Sequence, residues 1–165
     1  AAVAGRGDIM DEFEQVFFSF TMGGETLSLA AAKAAIEKGR RERAPKHFAR
    51  LGQRLLDGGQ GLIDRHGCGD FLALAGHPSW SFLTIAERPE AQGFELKTLF
   101  LQEVLARGLL TIGTHNLSLA HQEADIDRLL AIYDEVFPLL RDARAAGDVA
   151  ARLRCDVLQP LFRIR

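Results

Sequence analysis

The chain has 165 residues, of which 20 are Lys or Arg and 22 are Asp or Glu, so its formal net charge is -2. Hydrophobic residues make up 47% and charged residues 25%, which is typical of a folded domain and excludes a disordered chain. Because nucleic acids and anionic membranes are bound mainly by an excess of Lys and Arg, this charge balance argues against both as partners. Two cysteines, Cys68 and Cys155, allow one bridge at most, and we expect reduced thiols in a cytoplasmic protein.

The first third of the chain predicts a strand and two helices. Small apolar residues at 1–5 are typical of a buried strand. Asp8 is then expected to cap a short helix over 9–16, and an Ala-rich helix is expected from about Thr26 to Arg43. Between the two, residues 19–25 combine Ser and Thr hydroxyls with two glycines. Such a segment can cap the helix locally, or its hydroxyl and backbone N–H groups can bind an anion such as phosphate.

The rest of the chain alternates between helical and strand patterns. Pro45 is expected to break or kink the first long helix, and a second amphipathic helix follows up to the turn at 66–70. The later predicted elements are strands over 71–75 and 82–85, a helix over 94–107 closed by Gly108, short strands over 109–112 and 117–119, a helix over 125–146 kinked at Pro138, a short helix over 148–154 and an extended tail over 158–165. This order predicts an α+β fold, with helices packed on one face of a small, mainly antiparallel sheet.

Three further groups of residues have the composition of possible sites. His66, Cys68 and Asp70 are close in sequence, but a structural zinc needs four ligands, so a turn is favoured. His115 and His121 flank a serine, yet neither a glycine elbow nor a placed acid supports a nucleophile. A basic run over residues 40–54 is interpreted as a solvated helix surface.

Two separate parts of the sequence resemble one enzyme family. Residues 5–10 read GRGDIM and residues 17–31 read FFSFTMGGETLSLAA, while residues 108–110 read GLL and residues 115–127 read HNLSLAHQEADID. These segments resemble class III pyridoxal-phosphate-dependent aminotransferases, and most of all the glutamate-1-semialdehyde aminomutase branch. The resemblance covers essentially the whole chain, in the family's order. It implies the C-terminal part of a fold type I enzyme.

The resemblance also implies a domain division and a set of partners. Residues 1–30 would be a remnant of the large cofactor-binding domain, including a phosphate loop at the dimer interface, and residues 31–165 would be the C-terminal small domain. The family's Schiff-base lysine lies shortly before the segment that matches residues 5–10. No catalytic residue is therefore expected in this chain, and Lys33, Lys38, Lys46 and Lys97 do not match it. The implied partners are an N-terminal large domain, a second copy in a homodimer, and a small amino or carbonyl substrate.

Cofactor binding is implied for the first of these segments. Thr21 matches the family's threonine that reaches the phosphate of pyridoxal 5'-phosphate held by the neighbouring subunit. The preceding residue is often glycine in the family and is Phe20 here, so the resemblance implies the hydroxyl contact of Thr21 rather than a close backbone approach at Phe20.

The second segment bears on the substrate. Several branches of the family carry an arginine near Ser118 that binds a substrate carboxylate, and this chain has none there. The implied function is the C-terminal part of an aminotransferase or aminomutase that acts on a semialdehyde or another small amino-carbonyl compound. The alternative is a non-catalytic α+β module for binding or dimerisation.

Overall fold

The computed structural model describes residues 3–17, 21–86 and 94–159. Its elements are α1 (Gly7–Met10), a 3-10 turn (Asp11–Glu14), α2 (Thr26–Arg41), α3 (Ala44–His66), β1 (Leu72–His77), β2 (Trp80–Ile85), α4 (Glu95–Ala106), β3 (Thr114–Asn116), α5 (Glu123–Ala146) and a second 3-10 turn (Ala150–Arg152). None of the helices in these ranges is long and apolar enough to cross a membrane.

The chain divides into two compact units, Ala1–Glu42 and Arg43–Arg165. The structural division therefore falls between α2 and α3. The division expected after residue 30 followed the domains of the family that the sequence resembles, and it stays a prediction.

The first unit contains α1, the following 3-10 turn and α2, and none of its described residues is buried. The strand predicted over 1–5 is wrong for residues 3–5, which form no strand, and Val3 is 61% exposed; residues 1 and 2 lie outside the described ranges. The predicted cap at Asp8 is also wrong. The N-cap position of α1 is Arg6, and Asp8 lies in the first turn of the helix, where its carboxylate accepts a hydrogen bond from Arg6 at 3.0 Å.

Helix α3 opens the second unit and carries one wall of its core. Pro45 lies in the first turn of α3, where its missing N–H has no helical partner to lose, so it starts this helix. The buried face carries Leu51 and Leu55 near the start of the helix and Ile63 near its end. This spacing of three to four residues, and multiples of it, gives the single apolar stripe that the sequence predicts.

The sheet has the order β1-β2-β3, and both pairs of strands are antiparallel. In the β1–β2 hairpin Leu72 lies opposite Ile85 and His77 lies opposite Trp80. Strand β3 pairs with the other edge of β2, where Asn116 lies opposite Trp80. The α+β prediction and the predicted hairpin are confirmed.

The third strand is displaced from both predicted positions. It forms over Thr114–Asn116, between the predicted strands 109–112 and 117–119, neither of which forms. Leu110 and Ile112 are 89% and 70% exposed, whereas the polar His115 is buried. The apolar pattern was misleading because the residue of β3 that points inward is a histidine with two hydrogen-bond partners.

The main core lies among α3, α4, α5 and the sheet. Its centre is aromatic: Tyr133 stacks on Phe137 at a ring distance of 5.0 Å, and Phe100 lies 5.8 Å from Tyr133. All three side chains are fully buried. Their rings together remove a large apolar area from water, which is the main term holding the helices to the sheet.

Candidate functional site

Thr21 lies in the first unit, in a turn over residues 21–24 directly before α2, and it is exposed. A hydrogen bond from the N–H of Glu25 to the carbonyl of Met22, at 3.2 Å, closes this turn. Phe20, the other expected cofactor-binding residue, lies outside the described residues. The structure therefore places the Thr21 hydroxyl on an accessible loop.

The end of α2 next to Thr21 is occupied by a side chain of the same segment. The carboxylate of Glu25 accepts hydrogen bonds from the N–H groups of Leu27 at 2.9 Å and Ser28 at 2.5 Å. Hydrogen bonds from Ser28 and from the N–H of Leu27 lower the pKa of Glu25. In the described part of this segment, residues 21–25, the structure shows a helix cap, and the capping group is this carboxylate rather than a Ser or Thr hydroxyl. Phosphate binding by the segment stays a prediction.

This arrangement sets what the segment can offer to a phosphate. Two of the helix N–H groups that would surround an anion, those of Leu27 and Ser28, are already bonded to Glu25, whereas Thr21 is exposed. One hydroxyl contact to a phosphate fits these residues, and a cradle of backbone N–H groups does not.

A buried polar chain crosses the core of the second unit. The Oγ of Ser81 lies 3.1 Å from Nδ1 of His115, and Nε2 of His115 lies 2.8 Å from the hydroxyl of Tyr133. Burial lowers the pKa of His115 to about 4 and raises that of Tyr133. Both side chains are therefore neutral at pH 7, and together they fasten β2, β3 and α5 to one another.

The other histidines and the cysteines make separate contacts. Nε2 of His66 lies 2.6 Å from the carboxylate of Asp134, and Asp70 pairs with Arg144. Cys68 is buried and burial raises its pKa, while Cys155 is exposed; both are free. In the ranges that the structure describes, no three His, Cys, Asp or Glu side chains come together as a metal site would require.

Ser118 and His121 form a local turn rather than a nucleophile. The N–H of Ser118 donates to Nδ1 of His121 at 3.0 Å, and the Ser118 hydroxyl lies 3.1 Å from the same nitrogen. Because Nδ1 accepts an N–H, the proton of the neutral imidazole is on Nε2. His115, the other histidine of this segment, points to Ser81 instead.

A groove of about 410 Å³ lies where β3 and the preceding loop meet the start of α5. We call it the α5 groove. Its polar lining includes Asn116, His121, Asp125 and Arg128, and its apolar lining includes Leu55, Leu109, Leu117, Ile126 and Leu129. Sequence reasoning missed this site, because its residues come from α3, two loops, β3 and α5.

The lysines of the chain lie on three helices. Lys33 and Lys38 belong to α2, Lys46 to α3 and Lys97 to α4. Lys33 is exposed and lies 4.0 Å from Glu37, and Lys97 lies over the ring of Phe94 at 5.9 Å.

Comparison with known proteins gives a likeness in structure. No family model and no curated protein matches the sequence. The solved structure of an omega-transaminase from Sphaerobacter thermophilus is similar, with a TM-score of 0.66 and 18% sequence identity over 85% of this chain. The match covers 34% of the transaminase chain, so this chain spans about a third of it. At this identity the likeness shows a fold shared with about a third of that chain.

Proposed function

We propose that this chain is the C-terminal part of a pyridoxal-phosphate-dependent aminotransferase or aminomutase. The observation that carries the proposal is the transaminase fold over 85% of the chain. It agrees with the two sequence segments that resemble class III enzymes in the same order. The cofactor, when bound, would supply an electron sink for moving an amino group to or within a small carbonyl substrate. The lysine that binds it is proposed to lie outside these 165 residues.

In this proposal Thr21 donates its hydroxyl hydrogen bond to the cofactor phosphate of a second subunit. Its exposure on the turn before α2 supports this role, because the hydroxyl is accessible to another chain. The neighbouring Glu25 is already engaged as the helix cap, so Thr21 would act as a single donor rather than as part of a phosphate cradle.

The proposed partners are a large N-terminal domain and a second copy of the protein. The first unit supports both, because it exposes several large apolar side chains. Among them Phe17 is 97% exposed and Leu27 is 79% exposed. Apolar surface of this kind is typical of a segment that is covered in an assembly.

The proposed substrate is a semialdehyde or another small amino-carbonyl compound. Ser118 is bonded to His121 in a turn, and the stretch 116–119, which is comparable to the arginine site of the other branches, contains no arginine. A serine hydroxyl is too short to replace the bidentate clamp that an arginine offers to a carboxylate. Dicarboxylate acceptors of the 2-oxoglutarate type would therefore be poor substrates.

The role of Thr21 is tested in the full-length protein that contains this chain. Thr21→Val keeps the side-chain shape and removes a donor to a charged phosphate, so we expect cofactor affinity to fall roughly tenfold or more with the fold retained. Thr21→Ser keeps the hydroxyl and serves as the matched control. The measurement is the dissociation constant of pyridoxal phosphate for each variant, and an unchanged constant in Thr21→Val would overturn the role of Thr21.

The substrate class is tested by half-reactions of the same full-length protein. Conversion between the aldehyde and amine forms of the cofactor is followed by absorbance with a panel of amino donors and acceptors. We expect turnover with semialdehyde substrates and little with 2-oxoglutarate. Efficient turnover with 2-oxoglutarate would contradict the proposed substrate.

The alternative, a non-catalytic module for binding or dimerisation, predicts no half-reaction with any donor. It also predicts no difference in cofactor affinity between the Thr21 variants. The two experiments therefore separate the candidates.

A further inference from the structure

We propose that the α5 groove binds a small monocarboxylate with an apolar body, and that Arg128 holds its carboxylate. This proposal concerns the second unit alone and does not depend on the proposed function.

The first observation is the isolation of Arg128. It is exposed, it lines the groove, and within the described ranges no carboxylate lies within 4.0 Å of its guanidinium. Every other described arginine from residue 50 onward has a carboxylate partner; these are Arg50, Arg54, Arg65, Arg107, Arg141, Arg144, Arg152 and Arg154. The guanidinium of Arg128 is therefore not paired with any carboxylate of the described residues, and it lies beside a cavity large enough for a small ligand.

The guanidinium of Arg128 lies beside Gly108. Gly108 follows α4 with φ 78°, a conformation that favours glycine. A Cβ at this position would lie 3.2 Å from an Nη atom of Arg128. Glycine ends α4, and the guanidinium of Arg128 lies beside it at the edge of the groove.

A second hydrogen-bond donor lines the same groove. Nδ1 of His121 accepts the N–H of Ser118, so Nε2 of the neutral ring is an N–H donor. In the described part of the chain no hydrogen-bond partner is seen for Nε2 of His121. A guanidinium and an imidazole N–H are suitable donors for the oxygens of one carboxylate.

The remaining lining decides between classes of anion. Asp125 also faces the groove, and one of its carboxylate oxygens accepts the N–H of Gln122 at 2.8 Å. Its negative charge opposes a multiply charged ligand such as phosphate. The lining also includes Leu55, Leu109 and Leu129, whose apolar side chains favour a hydrocarbon body. A ligand with a single negative charge and an apolar body therefore matches both the charged residues and the leucines of the groove.

The test is a titration of the 165-residue chain with sodium hexanoate, followed by calorimetry and by amide chemical shifts. Hexan-1-ol and inorganic phosphate are the matched probes, since the first lacks the charge and the second lacks the apolar body. We expect saturable hexanoate binding that shifts amides lining the groove, and binding of both other probes at least about tenfold weaker. Equal affinity for hexan-1-ol, equal affinity for phosphate, or no hexanoate binding would each overturn the proposal.

Variants then assign the binding to Arg128. Arg128→Gln should weaken hexanoate binding about tenfold or more, and Arg128→Lys should retain part of it, because lysine keeps the charge without the fork. Arg152→Gln is the control, since Arg152 pairs with Asp148 and does not line the groove. Hexanoate bound by Arg128→Gln as tightly as by the unchanged chain would sink the assignment. The amide spectrum of each variant shows whether it is folded.

Discussion

The imidazole of His115 is a polar group in an otherwise apolar core, and only 5% of the residue is exposed. It is tolerated because Ser81 and Tyr133 satisfy both ring nitrogens, at 3.1 and 2.8 Å. A protonated ring would still have partners, but its charge would be held away from water. The folded state therefore favours the neutral imidazole of His115.

Because the folded state favours the neutral imidazole, the free energy of unfolding depends on pH. The folded pKa of His115 is about 4 against an ordinary value of 6.5, so the unfolded chain binds the proton more readily. The stabilisation is fully present above about pH 6.5, falls as the pH drops toward 4, and changes no further below that, with a total loss of roughly 3 kcal/mol. Urea denaturation of the chain and of His115→Gln between pH 4 and 7 measures it. The variant should be less stable at pH 7 and less sensitive to pH, and an equal pH dependence in both proteins would contradict the assignment.

The hydrogen-bond partners of buried polar residues such as His115 could not be predicted from spacing along the chain. The serine closest to His115 in sequence is Ser118, whereas the hydrogen-bond partners of His115, Ser81 and Tyr133, lie 34 and 18 residues away. His66 is paired with Asp134 across 68 residues. Local sequence carries no signal for such pairs, because they depend on how distant elements pack.

At the level of elements, α3 meets the turn between β1 and β2 at Gly52. A Cβ at this position would lie 1.7 Å from the carbonyl oxygen of Pro78, a backbone atom that cannot rotate away. We therefore expect Gly52→Ala to lower the free energy of unfolding by at least about 2 kcal/mol.

The same helix offers a matched control for this substitution. Gly61 also lies within α3, and a Cβ there would meet nothing within 4 Å. Gly61→Ala should raise the free energy of unfolding by about 0.5–1 kcal/mol, because alanine has the higher helix propensity. Denaturant titrations of the two variants compare them directly. Similar changes in both would show that α3 does not approach the turn as described.

Helices were easier to predict than strands for a physical reason. The pattern of α5 predicted a helix over 125–146, and the helix forms over Glu123–Ala146, because its buried residues recur every three to four positions. Strand β3 has only three residues and its inward position is polar, so alternation of apolar residues pointed to its neighbours instead. The cap of α2 was expected from hydroxyl residues and is made by Glu25, which can reach the same N–H groups.

For the whole molecule, the division into two units has a thermodynamic consequence. Every buried residue of the two described cores lies between Leu51 and Ala143, inside the second unit. The first unit buries none of its described residues, and a 16-residue helix such as α2 is marginal in water on its own. The folding free energy should therefore come almost entirely from the second unit.

A fragment over residues 43–165 tests this expectation. We expect it to unfold cooperatively, with a midpoint within a few degrees of that of the whole chain, whereas a peptide over residues 1–42 should show little helix. Circular dichroism during heating measures both. A fragment without a cooperative transition would show that the core needs the first unit to fold.

The two thiols differ in exposure, so the rates at which they react with a thiol reagent can show how often the core opens. Cys155 is exposed and Cys68 is fully buried beside α5, so a thiol reagent should label the first at once and the second only when the core opens. The slow labelling rate then measures the free energy of that opening, without a probe being engineered into the chain. If Cys155 is blocked beforehand, binding of hexanoate in the α5 groove can be followed in the same experiment, because it should slow the labelling of Cys68.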